Sequence, residues 1–337
     1  MLKKTLSFFP ILFIALTILS FSAEKPKPVK TIIIDPGHGG IDQGAGGLIS
    51  TEAQLSLAMS KKLGDLIQKE LPEVKVLFTR TTDIIPGNSR NKNEGLRWRA
   101  NFANQSKADL FISIHCNSAG RSPGGWYEKR IVGYDEKETF TGKGKKKKKK
   151  IVKVPIYESF FVENPSKGTE TFIWTAKENS HKEQLVGNNA EFEGYEVDST
   201  ITNPENDPVI TALKLVYTKK YFLNSLRLAE MVQDEFSKAG RVNRGVKQRN
   251  DVGIWVLHAT GMPSILVEAG FISNKQEEEY MNTEEGQNEI VRNIMTAIKR
   301  YIQAVENPKK EGDTELPLQV NGVAVLLNEN RKSLFIS

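Results

Sequence analysis

Two of the four histidines in this chain directly follow apolar runs. His38 comes after Thr31-Ile-Ile-Ile-Asp-Pro-Gly, and His115 after Leu110-Phe-Ile-Ser-Ile. Glu52 stands 14 residues beyond His38, and Glu268 completes the run Ser264-Ile-Leu-Val. Two imidazoles and a carboxylate are a common protein ligand set for catalytic zinc, with a fourth position left for water. A second carboxylate beside the metal can take a proton from that water and return it to a leaving nitrogen. Such an assembly hydrolyses amides. Each residue also has an ordinary reading. A histidine at a strand end is often held by structural hydrogen bonds, and Glu52 is a favourable charge at a helix N-terminus. Glu268 is harder to dismiss, because a carboxylate completing an apolar strand needs a partner. No HExxH pattern is present, and spacing alone leaves both readings open.

The elements around these residues place them at strand ends. Thr31–Ile34, Val74–Phe78 and Leu110–Ile114 read as strands, and helical spacing begins at Glu52 with Ser50 or Thr51 as cap. Arg97–Ser106 has helical character. Ala212–Ala239 and Glu284–Val305 read as amphipathic helices, and Gly253–Leu257 and Ser264–Val267 as further strands. Alternation of strand and helix predicts an α/β domain over 31–306, a mostly parallel mixed sheet flanked by helices. In such sheets ligands collect at the carboxyl ends of the strands, which brings both histidines to one crevice. From about Gly120 to Pro208 the chain turns polar and is broken by Gly and Pro, with only Gly168–Trp174 clearly strand-like. A stretch of that length predicts an insertion or cover. The tail, 307–337, is charged and then weakly strand-like over Val320–Ile336. There is no internal repeat.

Of 337 residues, 39% are hydrophobic and 26% charged, a globular mixture that excludes a disordered or polytopic membrane chain. A single cysteine, Cys116, excludes a disulfide framework. The net charge of +6 is local: Lys143 and Lys145–Lys150 supply seven positive charges, and Lys3 and Lys4 two more. The remainder carries −3, so no nucleic-acid-binding body is indicated. The lysine run reads as an exposed disordered loop, with attraction to anionic wall or membrane-surface groups as the alternative. Lys3 and Lys4, the apolar Leu6–Leu19 and then Ser20 and Ser22 form the layout of a secretory signal peptide over 1–22, with a leader at 23–30. An uncleaved membrane anchor is the alternative, but the apolar run falls short of the ~20 residues that span a bilayer, which favours removal. The expected location is the periplasm or cell envelope.

Several separated motifs resemble the zinc-dependent N-acetylmuramoyl-L-alanine amidases of cell-wall hydrolase type. They are Ile33-Ile-Asp-Pro-Gly-His-Gly-Gly, Glu52, Arg99, Ala103-Asn104, Ala108 to His115, Asn243-Arg-Gly-Val-Lys247 and Met262 to Asn274. The resemblance implies that His38, Glu52 and His115 bind one zinc and that Glu268 is the catalytic carboxylate. It implies cleavage of the amide between the lactyl group of N-acetylmuramic acid and L-alanine in peptidoglycan, for wall turnover or daughter-cell separation. Arg99 and His258 are candidate substrate contacts, although a solvated loop position is the stronger reading of His258. Cys116, where a small residue is more usual, reads as a buried thiol, and His181 as a surface residue. Some relatives cover their zinc with an inserted helix that offers it a glutamate until an activator protein displaces it. Glu178, Glu183, Glu191 and Glu193 lie in the corresponding part of this chain, with a solvated polar loop as the opposed reading. Two other functions remain open: an envelope-binding protein that retains the fold, and a zinc peptidase.

Overall fold

Ile32, Ile33 and Ile34 are β-branched and wholly buried, the pattern of a strand covered on both faces of a parallel sheet. They form the centre of a computed structural model that describes residues 27–142, 147–175, 182–183, 208–249, 254–307, 318–320 and 323–325. In chain order the elements begin with β1 (Thr31–Pro36), α1 (Glu52–Glu70), β2 (Lys75–Phe78), α2 (Lys92–Gln105) and β3 (Leu110–Asn117). Next come β4 (Gly125–Thr141), β5 (Lys148–Glu163), β6 (Thr169–Ile173), α3 (Pro208–Lys238) and β7 (Asn243–Gln248). They are followed by α4 (Trp255–His258), β8 (Ser264–Phe271), α5 (Lys275–Asn282) and α6 (Glu284–Glu306). The last are β9 (Leu318–Val320) and β10 (Val323–Val325).

Six strands make one sheet in the order β2-β1-β3-β8-β6-β7. All neighbours are parallel except β6 and β8, which run antiparallel. The expected mostly parallel mixed sheet is therefore the one observed. Chain contacts define one unit over Val29–Tyr301, which holds this sheet, and a second made of Met1–Pro28 and Ile302–Ser337. In the second unit β9 and β10 form a short antiparallel pair. The signal-peptide segment 1–22, His181, Glu178, Glu191 and Glu193 lie outside the described residues. No described helix is long and apolar enough to cross a membrane.

Helix α1 starts where its sequence says it should. Thr51 accepts from the Gln54 N–H and the Gln54 side chain accepts from the Thr51 N–H, a reciprocal cap. Leu55, Met59, Leu63 and Ile67 form its buried stripe. Helix α2 begins at Lys92, earlier than expected, because Asn91 caps it through the Glu94 N–H. Gly95 in that first turn sits where a Cβ would lie 2.6 Å from the Ile85 side chain, so its weak helix propensity serves close packing.

Two expectations are corrected, and one strand was not anticipated. Residues 255–258 are a helical turn rather than strand, since a short apolar run does not distinguish the two. The polar stretch after β3 contains β4 and β5, a long antiparallel ribbon that Lys148, Lys149 and Lys150 enter as strand residues. Those lysines are therefore not in a disordered loop. Strand β7 was hidden by its composition, Asn-Arg-Gly-Val-Lys-Gln, although it closes the sheet beside β6.

Candidate active site

The loop after β1 is shaped by what it must approach. A Cβ on Gly37 would stand 2.5 Å from His115 Cε1, so only glycine lets this backbone cross the imidazole. His38 itself is left-handed, with φ of +57°. Two arginines hold the loop from behind. Arg80 donates from Nε to the Pro36 carbonyl at 3.1 Å and from Nη2 to the Gly37 and Ala53 carbonyls at 2.6 and 2.8 Å. Arg99 donates to the carbonyls of Pro36 and His38 at 2.8 and 2.6 Å and pairs with the buried Asp35 carboxylate. Arg99 is thus a buried brace for the His38 loop, and it also lines the cavity that holds His38 and Glu52.

Glu52, at the first position of α1, is the hub. Its Oε2 lies 3.1 Å from His38 Nε2 and its Oε1 2.7 Å from His115 Nδ1. It also accepts from the Ala45 N–H at 2.9 Å and the Cys116 N–H at 3.3 Å. Burial would raise its pKa, but the hydrogen bonds and charge of His115 and His38 hold it well below the usual carboxylate range. For His38, burial works to lower the pKa, while Glu52 and then Asp42 outweigh it and raise it. One oxygen of Asp42 lies 3.0 Å from His38 Nδ1. Donor atoms of His38, Glu52 and His115 all lie within 4.8 Å of one another.

Two imidazole nitrogens and a carboxylate oxygen at that spacing fit a zinc ion in donor number and type. Asp42 stands behind His38 where an outer carboxylate would orient a metal-binding imidazole. Cys116 is fully buried, with Sγ 3.8 Å from Met281 Sδ. Burial, and after it the charges of Glu52 and Glu268, push its thiol pKa up, which fits the expected buried thiol.

Glu268 is in register with His115 across β3 and β8 and with Glu170 across β8 and β6. A row of three polar side chains therefore crosses the sheet. Glu268 is buried, and its Oε2 has no hydrogen-bond partner among the described residues. Burial and then the neighbouring Glu52 charge raise its pKa well above the ordinary carboxylate value. The same cavity, of about 780 Å³, is lined by His38, Glu52, His115, Glu268, Arg249 and Trp255. His258 is buried rather than solvated, with its ring 5.1 Å from that of Trp255, and it does not line this cavity. Glu183 is half-exposed and likewise absent from the lining.

Sequence reasoning passed over Glu170. Its Oε1 accepts from Arg244 Nε at 2.5 Å and Lys247 Nζ at 2.7 Å, and its Oε2 from Asn117 Nδ2 at 2.9 Å. Burial alone would raise its pKa, but Lys247 and Arg244 lower it. The signal was available: a glutamate inside Thr169–Ile173, a fully buried strand, has to be paired.

The model of the N-acetylmuramoyl-L-alanine amidase family matches residues 32–300, a span that includes all four site residues. The chain belongs to this family. Among its relatives, the amidase AmiC of Escherichia coli O6:H1 (strain CFT073) is 28% identical over 282 residues, covering 83% of this chain and 54% of AmiC. The germination-specific N-acetylmuramoyl-L-alanine amidase of Bacillus subtilis is 39% identical over 97 residues, 28% of this chain and 41% of that protein. This family member spans about half the length of such curated relatives. In fold it is similar to an N-acetylmuramoyl-L-alanine amidase from Clostridium difficile 630, with TM-score 0.50, 22% identity, and 82% and 99% of the two chains covered. The Clostridioides difficile amidase CwlD, solved in complex with the GerS lipoprotein, gives TM-score 0.50 and 24% identity over the same shares.

Proposed function

We propose that this amidase-family chain is a zinc-dependent hydrolase of the amide between N-acetylmuramic acid and L-alanine in peptidoglycan, acting in wall turnover or daughter-cell separation. The observation that carries the reading is the row His115–Glu268 beside His38 and Glu52, within one cavity. His38, Glu52 and His115 would hold the ion, and Glu268 would be the proton-transfer group. Bound zinc lowers the pKa of a water molecule and polarises a carbonyl oxygen. Glu268, with an unpartnered oxygen, receives the proton of the attacking water and returns it to the departing amide nitrogen, freeing the L-alanine amine. The raised pKa of this buried carboxyl suits a group that must both take and release a proton. Asp42 sets a carboxylate beside the His38 ring, and Arg80 and Arg99 fix the backbone that carries it.

The reading includes export through the 1–22 signal peptide to the periplasm or cell envelope, where the substrate is. It also includes restricted access to the site. The segment that carries Glu178, Glu183, Glu191 and Glu193 is proposed as a cover that an activator protein displaces. Support comes from Lys182, a buried residue of that stretch, which donates to Ser264 Oγ at 3.1 Å and at 2.6 Å to the carbonyl of Leu257, two positions along the chain from Trp255 of the cavity wall. The complex of CwlD with a lipoprotein is a precedent for an accessory protein on this fold.

The test is a digest of purified peptidoglycan with and without a chelator, followed by mass analysis. Chelator-sensitive release of stem peptides with a free L-alanine amine is expected, and cleavage between amino acids instead would overturn the reading. A chain lacking 176–206 should digest faster; unchanged activity would remove the cover from the proposal.

A further inference from the structure

The ribbon of β4 and β5 takes no part in the chemistry above. Its strands pair with each other from Gly125↔Glu163 to Thr141↔Lys148, a length on the order of 50 Å. Directly paired residues of an antiparallel ribbon share a face, and successive pairs alternate. Tyr127↔Phe161 and Ile131↔Tyr157 therefore lie on one face. A register shift between Ile131 and Gly133 then inserts one extra residue, Val132, so that Tyr134↔Pro155 falls on that same face. Without the bulge Tyr134 would point the other way. The same phase carries on to Glu138↔Ile151 and Phe140↔Lys149 at the distal end. The bulge thus keeps one face continuous from root to tip, and that face is open: Tyr127 is 74% exposed, Tyr134 59% and Phe140 64%.

Charge is distributed along the ribbon just as unevenly. Residues 135–153 contain nine lysines and three acids, a net +6, equal to the charge of the whole chain, so the remaining residues sum to zero. Lys147–Lys150 are exposed, and of these Lys149 pairs with Glu138 across the ribbon. Phe140 and Ile151 stand beside them, 64% and 55% exposed.

We propose that the distal half of the ribbon docks on an anionic lipid bilayer. Clustered lysines next to a juxtaposed aromatic and aliphatic side chain are the chemistry of an interfacial anchor: the ammonium groups meet lipid headgroups while Phe140 and Ile151 enter the acyl boundary. An uninterrupted run of one charged residue type offers little of the patterned complementarity that a protein partner reads. A narrow two-stranded ribbon also fits a planar surface better than a pocket. The tyrosines nearer the root, amphipathic at their tips, suit the interface just above. Docked in this way, the ribbon holds the body at a distance from the membrane set by its own length.

The test is vesicle flotation of the chain with residues 1–22 removed, so that the apolar N-terminus cannot contribute. Vesicles of phosphatidylcholine are compared with vesicles holding equal parts phosphatidylcholine and phosphatidylglycerol. Binding to the anionic vesicles should exceed binding to the neutral ones by about ten-fold or more and collapse in high salt. Replacing Lys145–Lys150 by glutamine should abolish it, and Phe140→Ser with Ile151→Ser should weaken it several-fold with the lysines intact. Both variants should keep the far-ultraviolet dichroism and thermal midpoint of the parent. Equal partition to both vesicle types, or unchanged binding by the glutamine variant, overturns the proposal. So does lysine-dependent capture by purified cell walls without vesicle binding, which would assign the ribbon to a wall polymer.

Discussion

The loop from Asp35 to His38 and the ribbon from Gly125 to Glu163 are opposite solutions to placing side chains. In the loop, the carbonyls of Pro36, Gly37 and His38 each accept a hydrogen bond from Arg80 or Arg99, and Asp35 is satisfied by Arg99, Thr79 Oγ1 and Ser113 Oγ. Contacts from two arginines and neighbouring side chains together fix that stretch of backbone. In the ribbon, each strand is fixed by the other, and aromatic side chains stay in solvent. The difference teaches that groups which must sit within tenths of an ångström of one another are buried and over-determined. Groups that must reach need only internal consistency.

The largest expected effect is at the chemical end of this contrast. Glu268→Gln should lower kcat by about 10²–10⁴ while zinc, measured by metal analysis, stays bound. A variant that loses its metal would show Glu268 to be part of the ligand set. Next comes the brace. Arg99→Met leaves the buried Asp35 carboxylate without its cation and should cost about 3–5 kcal/mol of stability by urea unfolding. It should weaken zinc affinity as well, since the His38 carbonyl loses its donor. A loss below 1 kcal/mol, as for a surface pair, would mean that the loop holds its own shape.

Lys182 lies between the two regimes. It belongs to the polar stretch, yet it is fully buried, with Nζ 3.9 Å from the Trp174 ring centroid. Burial lowers its pKa well below the ordinary lysine value. The unfolded chain then binds more protons than the folded one between that lowered pKa and about 10.4. Stability should therefore rise with pH across this window, and Lys182→Met should flatten the rise. Parallel slopes for the two proteins in urea titrations at a series of pH values would contradict burial of the charge. The smallest effect belongs to the ribbon: Tyr134→Ser should change stability by no more than about 0.5 kcal/mol. A larger loss would mean that the exposed face is packed against something.

How far each region could be read from sequence follows the same division. The strands before His38 and His115 were legible because they are buried on both faces and rich in β-branched residues. His38, Glu52, His115 and Glu268 were legible because each is a polar residue where an apolar element begins or ends. Arg80, Arg99 and Glu170 were not readable in their actual roles. Their partners are backbone carbonyls or side chains far along the chain: Arg99 and Asp35 are 64 positions apart, Arg244 and Glu170 74. The ribbon was missed for a different reason. With neither face buried, selection for an apolar side is weak, and the lysine run masks what alternation exists. The helical turn at 255–258 was misread because four residues carry too little periodicity to choose between turn and strand.

The two ends of the ribbon have a consequence of their own. Asn164 donates its N–H to the Gly124 carbonyl at 3.1 Å, while Gly124 N–H and the Asn164 carbonyl are held by Ser273 and Asn274. The chain thus leaves and re-enters the body at adjoining points, and everything between them is a detachable cassette. Shortening it by whole rungs, or grafting another hairpin in its place, changes the closure entropy only slightly and leaves the row from His115 to Glu170 in register. The ribbon can therefore be exchanged without disturbing the residues that surround the cavity.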